Sequence, residues 1–348
     1  MHKIIDDKTK ASRGMHAGRA MAAALPLSLA LLGCGGGGGD AGTPGLPNAG
    51  ALALDSSNYV TAAQLAVSSA AYLTDSSRLV VAAQASGSGA SSRAALAQLD
   101  HIAARFALAP KLLTGVVSTY NEACSGGGSI SVSVNDQNNN GNFDAGDSMS
   151  MNFVGCVEDG MTINGGLDLV LSALTGVFDS NNYSATIAMT LKNLSAADAT
   201  GTETGNGQLV IKASAAGVNN ETATVEAPTL STSGTLGGVA VSSALSGYVL
   251  TLTKLPVSGG YTESLTVSGN LGGSTLGGKS ITISTPTAIV RDWNAQLPRA
   301  GLVLVKGASG SQLRISVQAG GSVLIELDAD GNGAYETSVT KTWAQLGG

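Results

Sequence analysis

Charged and aromatic residues are scarce in this chain. Only 12% of its 348 residues are Asp, Glu, Lys or Arg, and only 4% are Phe, Trp or Tyr. Disordered chains combine low hydrophobicity with high net charge, whereas 43% of these residues are hydrophobic. Glycine is abundant, at 48 residues. The composition favours an exported β-protein over a cytosolic enzyme.

The chain also lacks a surplus of basic residues. Its net charge is −6, and residues 1–33 hold five Lys or Arg against two Asp, so the remainder carries −9. No stripe of Lys and Arg interleaved with aromatic residues follows residue 33. Proteins that bind nucleic acid neutralise its phosphates with such a stripe. We therefore expect no nucleic-acid partner.

Catalytic motifs are missing as well. His101 is the only histidine after residue 33, and the G-x-S-x-G pattern of hydrolases occurs nowhere. A hydrolytic triad needs a nucleophile and a base held together. We therefore predict that the protein is not an enzyme and has no catalytic residues.

The N-terminal segment has the pattern of an export signal. Residues 20–33 read AMAAALPLSLALLG, carry no charge and follow a segment that holds the positive charges. A positive region, a short apolar run and a final small residue are typical of a cleaved signal. The run is shorter than the ~20 residues that span a bilayer. We expect export and removal of residues 1–33.

The end of this signal, Leu31-Leu32-Gly33-Cys34, resembles the lipobox of bacterial lipoproteins. The resemblance implies that Cys34 receives covalent lipid, diacylglycerol and then palmitate-like acyl chains, and anchors the protein to a membrane. Gly35 stands where an aspartate tends to retain lipoproteins in the inner membrane, so the resemblance implies the outer membrane and leaves its face open. The alternative is an ordinary secretory signal. If Cys34 is lipidated, residues 34–50, which are rich in glycine, form the lipid anchor and a flexible tether.

Two further regions follow the tether. Residues 51–115 are rich in Ala and Leu, and the stretches Tyr59–Leu73 and Ser92–Leu108 place apolar residues at helical spacing. We predict a small N-terminal helical subdomain of two or three helices there.

Residues 116–348 instead show the alternation of β-strands. Apolar residues alternate with polar ones, and turns rich in Gly or Asn recur between these runs. Few connections are long enough for a helix, which argues against a parallel sheet. The prediction is a mainly β domain, an antiparallel meander of about twelve strands that forms a curled sheet, half-barrel or barrel.

One loop in this region has the spacing of calcium ligands. In DQNNNGNFDAGD, the oxygen ligands of an EF-hand-type loop would come from the residues at positions one, three, five, seven, nine and twelve, which are Asp136, Asn138, Asn140, Asn142, Asp144 and Asp147. Gly141 stands at the sharp turn. With only three carboxylates we expect weak affinity, ~10⁻⁴–10⁻³ M. The alternative is a polar hairpin loop.

A second acidic stretch, Asp328 to Glu336, copies the first half of such a loop. Its position twelve is Val339, which offers no side-chain oxygen. We therefore predict a turn between two strands.

Two cysteines remain once Cys34 is assigned to lipid. Cys124 and Cys156 form an even pair in an exported chain, and we predict a disulfide between them. Pairing Val134 with Met149 and Ile130 with Phe153 would bring both cysteines to the open end of one hairpin.

These expectations combine into a functional hypothesis. A lipid-anchored β-module of the cell envelope would bind a hydrophobic or lipid-like ligand or support the envelope. The alternative is a surface adhesion or structural module stabilised by calcium.

Overall fold

The computed structural model describes residues 50–78, 118–141, 143–158, 160–177 and 180–346, with main chain only for residues 71–78 and 118. It contains one helix, α1 at Tyr59–Arg78, and fourteen strands. The strands in chain order are β1 Ser118–Ala123, β2 Ser129–Asn135, β3 Ser148–Glu158, β4 Met161–Gly176, β5 Asn182–Asp198, β6 Gly201–Ala216, β7 Glu221–Leu236, β8 Val239–Val257, β9 Gly260–Gly273, β10 Ser280–Asp292, β11 Ala300–Lys306, β12 Gln312–Val317, β13 Ser322–Asp328 and β14 Thr337–Thr342.

All fourteen strands belong to one antiparallel sheet. Each strand pairs with the next along the chain, and the sheet is not closed, so β1 and β14 are its edges. This confirms the predicted antiparallel meander, with fourteen strands rather than about twelve. Strand β1 (STYNEA) shows why the count was low, because it lacks the alternating apolar residues by which strands are predicted.

The two ends of the sheet carry different turns because every connection is a hairpin. We call the end with the turns after β1, β3 and the other odd-numbered strands the odd end. The even end carries the turns after the even-numbered strands. The Asp136–Asp147 loop and the β8–β9 and β10–β11 turns all lie at the even end.

The hairpin of β2 and β3 has the register that alternation predicts. Val134 lies opposite Met149, Val132 opposite Met151 and Ile130 opposite Phe153. All six side chains are buried. A shift of one residue would turn all of them to the solvent face, so burial of this one face fixes the register.

Helix α1 packs against the sheet through small residues. Ala62, Ala63 and Ala66 are almost fully buried, and short side chains let the helix axis approach the strands closely. The helix contacts β7 and β8 as well as β11, β12 and β13. Strands β9 and β10, which lie between these two groups of strands in the sheet, have fewer contacts with the helix.

A hydrogen-bonded cap starts α1. The Asp55 carboxylate accepts from the backbone N–H of Ser57 (2.8 Å) and Asn58 (3.2 Å), and the Asn58 side chain accepts from the Asp55 N–H (3.0 Å). The Ser57 hydroxyl also donates to Asp55, and these bonds lower the pKa of Asp55. Just before the cap, Leu52 bonds to the main chain of Ser280 and Ala308, which ties the segment to the sheet.

Some predictions fall outside the described residues. These are the export signal, Cys34, the tether before residue 50, His101, the helix at Ser92–Leu108 and the boundary at residue 115. The first predicted helix is present as α1, in the same compact unit as the sheet, Thr43–Gly348. In the part of the chain that is described, no helix combines the length and hydrophobicity needed to cross a membrane.

Candidate functional site

A cavity of about 270 Å³ lies between α1 and the sheet. Helix α1, strands β8 to β11, the β10–β11 turn and the residue after β14 all contribute to its wall. Its lining is mainly apolar: Ala66, Val67, Ala70, Leu252, Leu265, Val267, Ile289, Leu297, Pro298, Val303 and Trp343.

An irregularity in β10 lies in the cavity wall, because Thr285 and Ile289 both line the cavity. Ile281 pairs with Leu271 and Ile289 with Leu265, so β10 has two more residues than β9 between these points. The extra residues interrupt the ladder next to the cavity. The Thr285 hydroxyl takes over the lost main-chain bonds, because it accepts from the Val267 N–H (2.8 Å) and donates to the Val267 carbonyl (2.9 Å). The strand therefore bends without leaving these main-chain groups unpaired.

Few polar groups line this cavity. The Arg291 guanidinium donates two hydrogen bonds to the Glu263 carboxylate, one of them at 3.0 Å, so the two charges compensate each other. Glu263 and Arg291 lie on β9 and β10 near the even end, next to Gln296 of the β10–β11 turn. The charged groups thus stand toward one end of a cavity whose lining is mainly apolar.

Trp343 contributes a buried hydrogen-bond donor to the cavity wall. The residue is only 9% exposed, and its indole Nε1–H has no acceptor within the described ranges. A buried donor without a partner costs about 1–3 kcal/mol. Most buried donors in native proteins have a partner, so this indole N–H is an exception.

The predicted calcium loop, residues 136–147, is the hairpin connection between β2 and β3. We call it the Asp136 loop. The Asp136 carboxylate is buried and accepts from the N–H of Asn140 (3.3 Å) and Gly141 (2.8 Å). Asp147 is fully buried and accepts from the N–H of Gln137 and Asp144, both at 2.8 Å. The first and last carboxylates therefore hold the loop closed.

The remaining predicted ligands bond mostly to each other. The Asn138 side-chain amide donates to Asp144 (2.8 Å), and the Asn140 amide donates to the same carboxylate. The Asn138 side-chain oxygen accepts from the Asn140 N–H (3.0 Å). Asn142 lies outside the described residues. The side chains at positions one, three, five, nine and twelve thus all take part in the hydrogen bonds of this loop.

The second acidic stretch is the turn between β13 and β14, as predicted, and we call residues 328–336 the Asp328 loop. Asp328 is fully buried and accepts from the N–H of Gly331 (2.8 Å), Asn332 (3.2 Å) and Gly333 (2.9 Å). Its fourth bond comes from the Gln312 side chain (3.0 Å). The Gln312 bond, followed by those from the backbone, lowers the pKa of Asp328 against the opposing effect of burial.

Three carboxylates converge in the Asp328 loop. Oxygens of Asp328, Asp330 and Glu336 all lie within 4.8 Å of one another. Among the described residues this is the one such group made of carboxylates alone; the other contains the two cysteines and Glu158. Sequence spacing favoured the Asp136 loop because it includes a position-twelve oxygen, and it could not show where the carboxylates would converge.

The predicted disulfide between Cys124 and Cys156 is present, with the Cα atoms 5.4 Å apart. Phe153 and Cys156 are three residues apart, so on a regular strand they would face opposite sides. A bulge between them, at Gly155 with φ +54°, turns both side chains to the buried face. The bulge therefore places Cys156 on the face where Cys124 lies.

The glycines before β2 form the turn between β1 and β2. Cys124 and Gly128 are joined by a main-chain hydrogen bond of 3.2 Å, and β1 ends at Ala123. A Cβ at Gly128 would lie 1.9 Å from the Gly155 carbonyl oxygen, and the φ of Gly128 is +75°. Only glycine fits at this close approach.

The cavity was not predicted from the sequence. Its lining residues come from helix α1 and from four strands, and they are far apart in the sequence. No local sequence motif therefore marks the cavity. The one available signal is the rarity of tryptophan. Of the two in the chain, Trp343 lines the cavity and Trp293 lies exposed on the adjacent turn.

Comparison with known proteins gives no relative for this arrangement. No family model, curated protein or solved structure matches the chain. The function must be argued from the site itself.

Proposed function

We propose that the protein is a lipid-anchored, non-enzymatic component of the cell envelope that holds an apolar chain of a lipid-like ligand in the cavity beneath α1. The observation that carries this proposal is the cavity, a concave space with an apolar wall and a single compensated ion pair near one end. Pockets for small ligands have this composition, a mostly apolar surface with few polar groups that orient the ligand.

The volume limits the class of ligand. Pockets for drug-sized ligands measure roughly 300–1,000 Å³, and this cavity measures about 270 Å³. It suits one acyl chain or a molecule of similar size rather than a whole diacyl lipid. The buried N–H of Trp343 supports a ligand that also carries an oxygen acceptor, because such an atom would satisfy the unpaired donor after a small shift.

Filling the cavity tests this proposal. Ala70 lines it and is buried, so Ala70→Phe would place a ring in the ligand's space. We expect a fluorescent fatty acid to bind the unaltered protein and to bind Ala70→Phe at least about tenfold more weakly. Ala240→Phe makes the same change at an exposed position at the odd end and should bind as the unaltered protein does. Equal binding by all three would remove the cavity proposal, provided that thermal melts show all three folded.

The proposed location in the cell envelope is inferred from the sequence around Cys34. A positive N-terminus, an apolar run and the Leu31-Leu32-Gly33-Cys34 motif support export and lipidation. Cells fed an alkyne analogue of palmitate should label the unaltered chain and leave Cys34→Ala unlabelled. Label in the alanine variant would contradict lipidation at Cys34. Fractionation of the labelled cells would distinguish the proposed outer membrane from the inner membrane.

A second candidate function is a surface or adhesion module stiffened by calcium. The observation in its favour is the Asp136 loop, whose carboxylate and amide oxygens have the spacing of calcium ligands between two strands of the sheet. Such a module would melt at a higher temperature in calcium than in chelator, and the cavity variants would leave that difference unchanged.

A further inference from the structure

We infer that exposed residues on two neighbouring hairpins at the even end form a surface that inserts into the interface of a phospholipid bilayer. The tip surface, as we call it, comprises the exposed Leu255, Val257, Trp293 and Leu297 together with the half-buried Tyr261. The inference rests on their exposure, chemistry and charge environment, and the bilayer contact does not depend on the proposed cavity ligand.

The tip surface holds apolar side chains outside the core. Leu255 is 48% exposed and Val257 47% on the β8–β9 hairpin, and Trp293 is 53% and Leu297 45% exposed on the β10–β11 turn. Six of the ten exposed large hydrophobic residues in the described part of the chain lie on even-end hairpins, with Val177 and Val218 completing the six. Contiguous exposed apolar surface marks sites of protein or membrane contact.

The chemistry of the tip surface suits the boundary between lipid and water. The Trp293 ring lies against Gly260, where an added Cβ would come 2.2 Å from the ring. The backbone N–H of Trp293 donates to the backbone carbonyl of Tyr261 (3.0 Å). The Lys254 ammonium stands 4.4 Å from the centre of the Tyr261 ring. Trp and Tyr concentrate at membrane interfaces, where a Lys can keep its charge in water.

The acidic groups beside the tip surface are neutralised. Glu221 pairs with Lys254 (3.3 Å), Asp292 pairs with Arg299 (3.1 Å), and Glu263 pairs with Arg291. An unpaired carboxylate would be repelled by anionic headgroups and would cost energy near hydrocarbon. These pairs let the apolar tips approach a bilayer without that repulsion, which favours a lipid surface over a basic protein partner.

Leu297 joins the tip surface to the cavity, since it is exposed and also lines the cavity wall. A tip surface embedded in headgroups would therefore place the cavity beside acyl chains. This extension, loading of an acyl chain directly from the bilayer, rests on the proposed function.

The two tryptophans allow the bilayer contact and the cavity to be tested separately. Trp343→Phe leaves Trp293 as the single tryptophan, a reporter of the tip surface, whereas Trp293→Phe leaves Trp343 as a reporter of the cavity. The background is the mature chain from residue 34 with Cys34→Ser, which retains the compact unit Thr43–Gly348 and has no lipid of its own.

With phosphatidylcholine vesicles we expect Trp293 emission to shift to shorter wavelength and to be quenched by lipids brominated on their acyl chains. The double variant Leu255→Asp, Val257→Asp should lower the vesicle-bound fraction by more than about tenfold in co-sedimentation, because it replaces two inserting side chains by charges. The matched control is Leu236→Asp, Val239→Asp, which alters two residues at the odd end that are more exposed than Leu255 and Val257, and it should bind as before.

Three results would overturn the bilayer contact. They are no vesicle binding, an equal loss in the odd-end control, and a concentration-dependent dimer that only the Leu255→Asp, Val257→Asp variant abolishes, which would make the surface a contact between copies. In the Trp293→Phe variant, a fatty acid brominated on its chain should quench Trp343 if it enters the cavity. Such quenching without vesicle binding would leave the cavity proposal standing. Vesicle binding with no quenching of Trp343 would remove the cavity ligand alone.

Discussion

The Asp136 loop and the Asp328 loop begin in the same way and end differently. Each starts with a buried aspartate after a strand, and in each the N–H groups at positions five and six donate to that carboxylate. In the Asp136 loop the last carboxylate, Asp147, then accepts two backbone N–H groups and closes the hairpin. In the Asp328 loop the later carboxylates of Asp330 and Glu336 each accept one backbone N–H and also converge on Asp328.

The difference shows that spacing and convergence are separate properties. The spacing of oxygen-bearing residues follows from the sequence, whereas the position of each carboxylate depends on which N–H groups it bonds. Asp147 and Asp136 each satisfy backbone donors, a role that exists with or without an ion. The comparison therefore turns on which carboxylates support the fold and which are available to a cation.

The disulfide should give the largest effect, and it stabilises only one of the two hairpins. Replacing both Cys124 and Cys156 by serine should lower the free energy of unfolding by about 3–4 kcal/mol, because the bridge closes a long loop of chain. Chemical denaturation measures the loss. Hydrogen exchange should rise in the Asp136 loop and its strands and stay unchanged in the Asp328 loop. An equal rise in both would show that the bridge stabilises the sheet as a whole.

Within the Asp136 loop, Asp147 should matter more than Asp144. Asp147→Ala leaves two partly buried N–H groups, those of Gln137 and Asp144, without an acceptor and should cost about 2 kcal/mol in a denaturation experiment. Asp144→Ala removes bonds to exposed side-chain amides and should cost less than about 1 kcal/mol. If the two variants lose equal stability, the closing role of Asp147 is wrong.

Calcium should have a smaller effect. If the Asp136 loop binds with a dissociation constant of ~10⁻³ M, calcium at about ten times that concentration stabilises the protein by about 1.4 kcal/mol. Thermal melts in calcium and in chelator would detect it. Asp144→Asn should abolish the difference and Asp330→Asn should preserve it. The reverse pattern would assign the ion to the Asp328 loop, and no calcium effect would leave both as turns.

The effect of pH should be smallest and should single out the Asp328 loop. Because its hydrogen bonds lower the pKa of Asp328 in the folded protein, its contribution is complete above the unfolded pKa of about 4. That contribution is lost as the pH falls through the lower folded value. The melting temperature should therefore decline below about pH 4. Asp328→Asn should melt lower at neutral pH and show a shallower decline in acid; an unchanged decline would contradict this role.

The fold was largely predictable because burial of one face imposes a period of two on each strand. The alternation of six apolar residues in β2 and β3 is sufficient to predict the register of that hairpin. Strand β1 was not predicted, because its apolar and polar residues do not alternate. The relation of α1 to the sheet was not predictable, since alanine spacing shows that a helix has an apolar face but not which strands cover it.

The candidate site was less predictable than the fold. The disulfide followed from counting cysteines, although the bulge at Gly155 that orients Cys156 did not. The cavity wall includes an irregular stretch of β10 where the Thr285 side chain bonds to the main chain of β9, a detail of pairing between strands that lies beyond any local pattern. The proposed ligand site therefore depends on features that only the three-dimensional arrangement reveals.

The proposed ligand gives the most direct test of the whole account. Protein purified from its own membranes in mild detergent would be measured by native mass spectrometry, beside Ala70→Phe and Ala240→Phe prepared in the same way. We predict a non-covalent adduct with the mass of one single-chain lipid or comparable apolar molecule on the unaltered protein and on Ala240→Phe, and its loss from Ala70→Phe. No adduct on any of the three, or an equal adduct on all of them, would contradict the claim that this cavity holds an apolar ligand.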